Sequence, residues 1–171
     1  MQSRPVLKET FVIKVSLTAV MTGLVAVATY LVRIPNPMGG YFNFGDVAIF
    51  AVAFTFDPII GGLAGGIGSA ISDLIGFPVF VLPTLVIKGL EGFLAGLIAS
   101  KKSVLRDSLA VFVAGCEMIF GYFIVEFYLL QWGLGGALAE VPGNIAQIVI
   151  GGVIGIPIAY VVRRRLPEVL K

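Results

Sequence analysis

The chain has 171 residues, 58% of them hydrophobic and only 13% charged, and its mean hydropathy is +1.02. A soluble domain is nearer half apolar and a quarter charged, so an aqueous surface is excluded and a bilayer is the fitting solvent. With no histidine and a single cysteine, Cys116, the chain lacks the commonest metal ligand and general base and has no intramolecular disulfide; no cofactor and no nucleic-acid partner are expected.

Six apolar segments follow in chain order. The first, 11–32, comes after a basic start. That start, the apolar run and Ala26-Val27-Ala28 imitate a cleavable signal peptide, but the run continues through Val32, and cleavage leaves an odd number of spans. The second, 44–56, is short for a hydrocarbon core of ~30 Å and is the weakest span. The third opens on Asp57-Pro58, an N-cap with proline in the first helical turn, and ends near Gly76. Almost no chain separates the second from the third, which forces a tight antiparallel hairpin. The fourth covers 83–100, the fifth 107–130 and the sixth 144–162. No soluble domain remains, so residues 1–171 read as one integral membrane domain: all-α, with six transmembrane helices. No internal repeat supports an inverted-repeat carrier.

Lysine and arginine fix the orientation. Arg4, Lys8 and Lys14 precede or open the first segment, Lys101, Lys102 and Arg106 lie between the fourth and fifth, and Arg163, Arg164, Arg165 and Lys171 follow the sixth. Only Arg33 lies in the opposite loops, and only Lys88 within a helix. The positive-inside rule then places both termini in the cytoplasm.

A rise of ~1.5 Å per residue converts position into depth. Lys88 enters the fourth segment from outside by about 8 Å and Glu91 by about 12 Å. Asp46 opens the second segment, Asp73 and Glu126 sit near the outer ends of the third and fifth, and Asn144 and Gln147 share a face in the first turn of the sixth. Glu117 alone falls near mid-membrane, on a face with Gly121 and Tyr128. Each group also has a purely structural reading: Lys88 and Glu91 pair with each other, and Asp46 and Asn144 cap their helices. Separate structural roles explain poorly why the groups share one depth, since an ion at the bilayer centre costs roughly 2.5–3.5 kcal/mol. Their convergence points to an outward-facing polar cavity. Tyr41 in the first outer loop (33–43), with Phe42 and Phe44, and Tyr128 and Trp132 beside the second (131–143) form either an interfacial aromatic belt or, with Asn43, Asn144 and Gln147, a site for a flat heteroaromatic ligand.

Small residues recur at close-packing spacing. Ala19 and Gly23 form a small-xxx-small pair beside Thr18, Thr22 and Ala26 on the first segment; Gly61/Gly65 and Gly62/Gly66 do so on the third, where internal packing is the better reading. GGLAGGIGS is not a nucleotide loop, because it lacks the Lys-Ser/Thr ending and lies within a span.

The runs GYFNFGDVAIFAVAFTFDPIIGGLAGGIGSAISDLIG, PTLVIKGLEGFLAG and PGNIAQIVIGGVIGIPI resemble the substrate-binding S components of energy-coupling factor (ECF) vitamin transporters, across nearly the whole chain. The resemblance implies a prokaryotic plasma-membrane protein of six helices that captures a vitamin from outside. It also implies partnership with a transmembrane T component and two cytoplasmic ATPases, with toppling of the S component in the membrane. On this resemblance Ala19 and Gly23 match the small-residue motif facing the T component, Gly replacing the usual second Ala. Loop 33–43, with Tyr41 and Asn43, matches the lid; Asp46, Lys88, Glu91 and Asn144 match polar site positions. Met1-Gln2-Ser3 departs from the Met-x-His of nickel and cobalt members, so no metal substrate is expected. The chain looks most like the riboflavin-type branch, with thiamine or its pyrimidine precursor, pyridoxine-like compounds and queuosine precursors still open. The competing class is a small ion-coupled carrier or channel relaying through Asp73, Glu117 and Glu126.

Overall fold

The computed structural model describes residues 4–35, 40–100 and 103–166. Met1-Gln2-Ser3, the tip of the first outer loop, Lys101, Lys102 and Lys171 lie outside them. The described residues form six helices: α1 (Arg4–Leu31), α2 (Gly45–Thr55), α3 (Pro58–Gly76), α4 (Val81–Ile98), α5 (Val104–Ile124) and α6 (Gly133–Arg165). A two-stranded antiparallel hairpin, β1 (Arg33–Pro35) and β2 (Tyr41–Asn43), joins α1 to α2, with Ile34 opposite Phe42. A 3₁₀ turn over Pro78–Phe80 leads into α4, and a π-helical turn over Val125–Leu129 ends the α5 run. Five of the helices are long and apolar enough to cross a bilayer.

The sixth is α2, and its shortness shapes the molecule. Eleven residues give about 16 Å, roughly half a hydrocarbon core. Every residue of α2 except Val47 is buried, as its lack of any polar face predicts. Asp46, in its first turn, pairs with Lys88, which stands about 10 Å inside α4. The helix therefore fills only the cytoplasmic half of its column, and the column above it holds no helix.

Below that level the interior is apolar. Phe50 and Phe54 of α2 stack on each other and pack with Ala53, Ala95, Ala110, Ala114, Met118 and Ala159. Close approach of α3 to α4 and α2 rests on glycine: a Cβ on Gly65 would lie 2.6 Å from the Lys88 carbonyl, and one on Gly61 2.8 Å from both the Gly92 carbonyl and the Ala53 Cβ. The internal-packing reading of the α3 glycines holds. In lipid, where burial brings little hydrophobic gain, such backbone contact is what holds helices together.

The cytoplasmic ends are tied by ion pairs. Asp57 caps α3, accepting from the N–H groups of Ile59 and Ile60 at 2.9 Å each, and takes Lys14 Nζ at 3.0 Å. Burial acts to raise the Asp57 carboxyl, but the Ile60 amide, Lys14 and the Ile59 amide outweigh it and hold it below the usual carboxylate range. Arg163 reaches Asp107 at 3.2 Å, while Asp107 also accepts the Ser100 N–H at 2.7 Å.

Several boundaries differ from the sequence expectation, α1 beginning at Arg4 rather than at 11. Ser103 caps α5, which starts at Val104 rather than at 107. More consequentially, α6 starts at Gly133, so most of the expected outer loop 131–143 is helix and Asn144 lies inside it, not in its first turn. The glycines and Pro142 of QWGLGGALAEVPG read as loop, yet the reversal is confined to Gln131 and Gly133, both at positive φ, and Pro142 is absorbed with the loss of one helical hydrogen bond.

Candidate binding cavity

The empty column above α2 holds a narrow cavity of about 30 Å³. All the other helices and the hairpin line it, and α2 does not. Its walls come from residues stacked one helical turn apart: Ser69 and Asp73 on α3, Thr84 and Lys88 on α4, Tyr122 and Glu126 on the α5 run, Glu140, Asn144 and Gln147 on α6. Thr29 of α1, Phe80, and Gly40, Tyr41 and Asn43 of the hairpin complete the lining.

The floor is a buried ion triad. Lys88 Nζ donates to Asp46 Oδ1 and, at 2.9 Å, to Glu91 Oε2, with all three side chains at most 3% exposed. The expected Lys88–Glu91 pairing is therefore present, with Asp46 added to it. Asp46 does not cap α2, and neither it nor Glu91 lines the cavity; both act through Lys88, which does. The ammonium also lies 5.8 Å from the Tyr122 ring centroid.

An amide ladder forms one wall. Asn43 N–H donates to Gln147 Oε1 at 2.8 Å, Gln147 Nε2 donates to Asn144 Oδ1 at 3.1 Å, and Asn43 Oδ1 accepts from Gly45 N–H at 2.7 Å. The last contact satisfies the N-terminus of α2 and ties the hairpin to the cavity floor. The opposite wall is hydroxylic: Thr84 Oγ1 and the Tyr122 hydroxyl are 2.9 Å apart, and the Tyr41 hydroxyl donates to Asp73. Tyr41 stacks on Phe77 at 4.3 Å, and Arg33 donates to the carbonyl and hydroxyl of Ser72. The hairpin thus lies closed over the outer end of α3.

Of the expected site residues, the fold brings Tyr41, Asn43, Lys88, Asn144 and Gln147 to the cavity. Tyr128 is a correction: it is 71% exposed and packs edge-on to Phe127, away from the lining. A straight helix would keep it on the face of Glu117; the π turn inserts one residue and slips the phase by roughly 100°. Trp132 is a second correction, packing edge-on to Phe80 at 5.7 Å without lining the cavity. Expectation missed Thr29, Gly40, Ser69, Phe80, Thr84, Tyr122 and Glu140 as site residues and assigned Asp73 and Glu126 no ligand role. Stepping one turn outward from Lys88 finds Thr84 and from Asn144 finds Glu140; the latter was hidden by the loop reading of 131–143.

On α1, Ala19 and Gly23 face outward from the bundle, and a Cβ on Gly23 would meet nothing within 4 Å. Their stripe is free of internal packing among the described residues.

Residues 10–164 match the family described as ECF-type riboflavin transporter, S component. A protein of Pyrococcus woesei, described only as an uncharacterized protein in a gap 3′ region, is 44% identical over 149 residues, 86% of this chain and 99% of that protein. The thiamine precursor transporter HmpT of Lactococcus lactis subsp. cremoris is 32% identical over 154 residues, 88% of each chain. Among solved structures, one described as the S component of a bacterial ECF transporter superposes with a TM-score of 0.69 at 20% identity, covering 92% of this chain and 97% of that one.

Proposed function

We propose, for a chain that belongs to the ECF-type riboflavin transporter S component family and is thus a multi-pass membrane transport subunit rather than an enzyme, that the cavity above α2 captures a flat heteroaromatic vitamin or vitamin precursor from outside. Riboflavin, named by the family, and the thiamine precursor named for the Lactococcus relative both fall in that class. One observation carries the reading. The cavity in the outer half is lined by the rings of Tyr41, Phe80 and Tyr122 on some sides and by the amide edges of Asn43, Asn144 and Gln147 on another. Rings accept a planar ligand by stacking, and amides fix its edge.

The chain has no nucleotide loop, so the energy for import comes from partners: a membrane T component docked on the Ala19–Gly23 stripe of α1, and two cytoplasmic ATPases. The open face at Gly23 supports that docking.

Titration calorimetry on the purified chain with riboflavin, thiamine and hydroxymethylpyrimidine tests the capture step. Tight binding of one of them without an ion gradient is expected, a yellow preparation marking flavin. Vesicle uptake is expected only when T component, ATPases and ATP are supplied, and Ala19→Leu or Gly23→Leu should abolish uptake while leaving binding intact. Uptake by the isolated chain under a proton or sodium gradient alone would overturn this reading in favour of an ion-coupled carrier.

A further inference from the structure

The charge lining the cavity is unbalanced, and the imbalance is local. Lys88 is the one cation that lines it among the described residues, and its ammonium is engaged by Asp46 and Glu91 beneath. Asp73 is satisfied on the opposite wall by the Tyr41 hydroxyl. Glu126 is different. It is 97% removed from solvent, lines the cavity, and its Oε2 has no hydrogen-bond partner. Its electrostatic neighbour is another carboxylate, Glu140 on α6, also a lining residue. Glu126 lies one turn beyond Tyr122 on the cavity face, at the start of the π turn that sends Tyr128 out. A buried carboxylate oxygen that no donor among the described residues reaches is costly unless a ligand brings one.

We infer that Glu126 and Glu140 are specificity-determining residues that select a heteroaromatic ligand carrying an amine or amidine edge, whose N–H groups the carboxylates accept. This rests on the capture reading above and narrows it. An aminopyrimidine offers an exocyclic amine whose N–H groups suit charge-assisted hydrogen bonds to carboxylate. A flavin edge, dominated by carbonyl and ring-nitrogen acceptors, would face like-signed lone pairs on the same wall. A pair of acids therefore discriminates within the flat-heterocycle class, where ring stacking alone does not.

The test is a cycle between protein and ligand, read by calorimetry on the purified full chain with its melting temperature as a fold control. The probes are hydroxymethylpyrimidine with its amino group, the same ring with hydrogen in place of the amine, and riboflavin. Wild type is expected to prefer the amine-bearing ring over the deamino ring by at least tenfold. Glu126→Gln should lose at least tenfold in affinity for the amine and bring the two pyrimidines within about twofold of each other. Glu140→Gln provides the same measurement if the first variant does not fold. Equal binding of both pyrimidines by wild type would overturn the inference, as would riboflavin as the tight ligand with affinity unchanged in Glu126→Gln; in either case the capture reading stands. If no heterocycle binds wild type, both readings fail together.

Discussion

The two halves of the helix bundle sit in the same bilayer but handle polar groups in opposite ways. In the cytoplasmic half, α2 is present and the space between helices is filled by Phe50, Phe54, Met118 and a set of alanines, with glycine backbones in contact; the ion pairs Lys14–Asp57 and Arg163–Asp107 lie at the rim. In the outer half, α2 is absent, and the vacated column is lined by ions, amides and hydroxyls capped by the hairpin. The difference teaches that the cavity arises from a helix that stops short rather than from helices that splay. It also explains why Lys88 is tolerated: it sits where the packed half meets the hollow one, with Asp46 at the tip of α2 as its counter-ion.

The strongest way to break this comparison is at the boundary. Lys88→Ala leaves Asp46 and Glu91 buried and unpaired, and should destabilise the protein by about 3–5 kcal/mol in thermal or denaturant unfolding in detergent. Adding Asp46→Asn and Glu91→Gln should restore part of that loss; an unfolding curve unchanged by Lys88→Ala would mean that the triad is hydrated, not buried.

The next effect belongs to the packed half alone. Gly92→Ala thrusts a methyl group into the backbone of Gly61, and should lower stability by about 1–3 kcal/mol with no change in which vitamin is preferred. The hollow half should respond the other way. Asn144→Ala removes a rung of the amide ladder, weakening ligand binding at least tenfold, about 1.4 kcal/mol, with little shift in melting temperature. A large melting shift with unchanged affinity would make the ladder a structural element.

At the cytoplasmic rim the expected effect is smaller and depends on pH. The folded-state carboxyl of Asp57 is held below its unfolded value of about 3.9, so its contribution is complete above that pH and is lost as pH falls through the lower folded value. Asp57→Ala should remove about 1 kcal/mol at neutral pH and flatten the acid end of the stability profile. The smallest effect is expected at Tyr128. Exposed at 71%, it should tolerate Tyr128→Ala within about 0.5 kcal/mol in both stability and binding.

Particular elements mark where the sequence was legible. Asp57-Pro58 announced the start of α3, the GxxxG pairs announced its close packing, and the spacing of Lys88 and Glu91 announced their pairing. The sites that escaped did so for local reasons. Glu140 was hidden because glycine and proline inside a lipid-embedded helix resemble a loop, and backbone groups there are satisfied by neighbours a sequence does not display. Tyr128 left the cavity face because of one extra residue in a π turn, which leaves no compositional trace.

By itself, the sequence determined that the solvent is lipid, which end of the bundle faces the cytoplasm, and at what depth each ion lies. These follow from hydropathy, from the side on which lysine and arginine accumulate, and from a fixed rise per residue. Only the tertiary structure decided which ions on different helices meet. Depth says nothing about azimuth, and azimuth depends on where a helix begins, where a turn widens, and how closely glycine lets its neighbours approach.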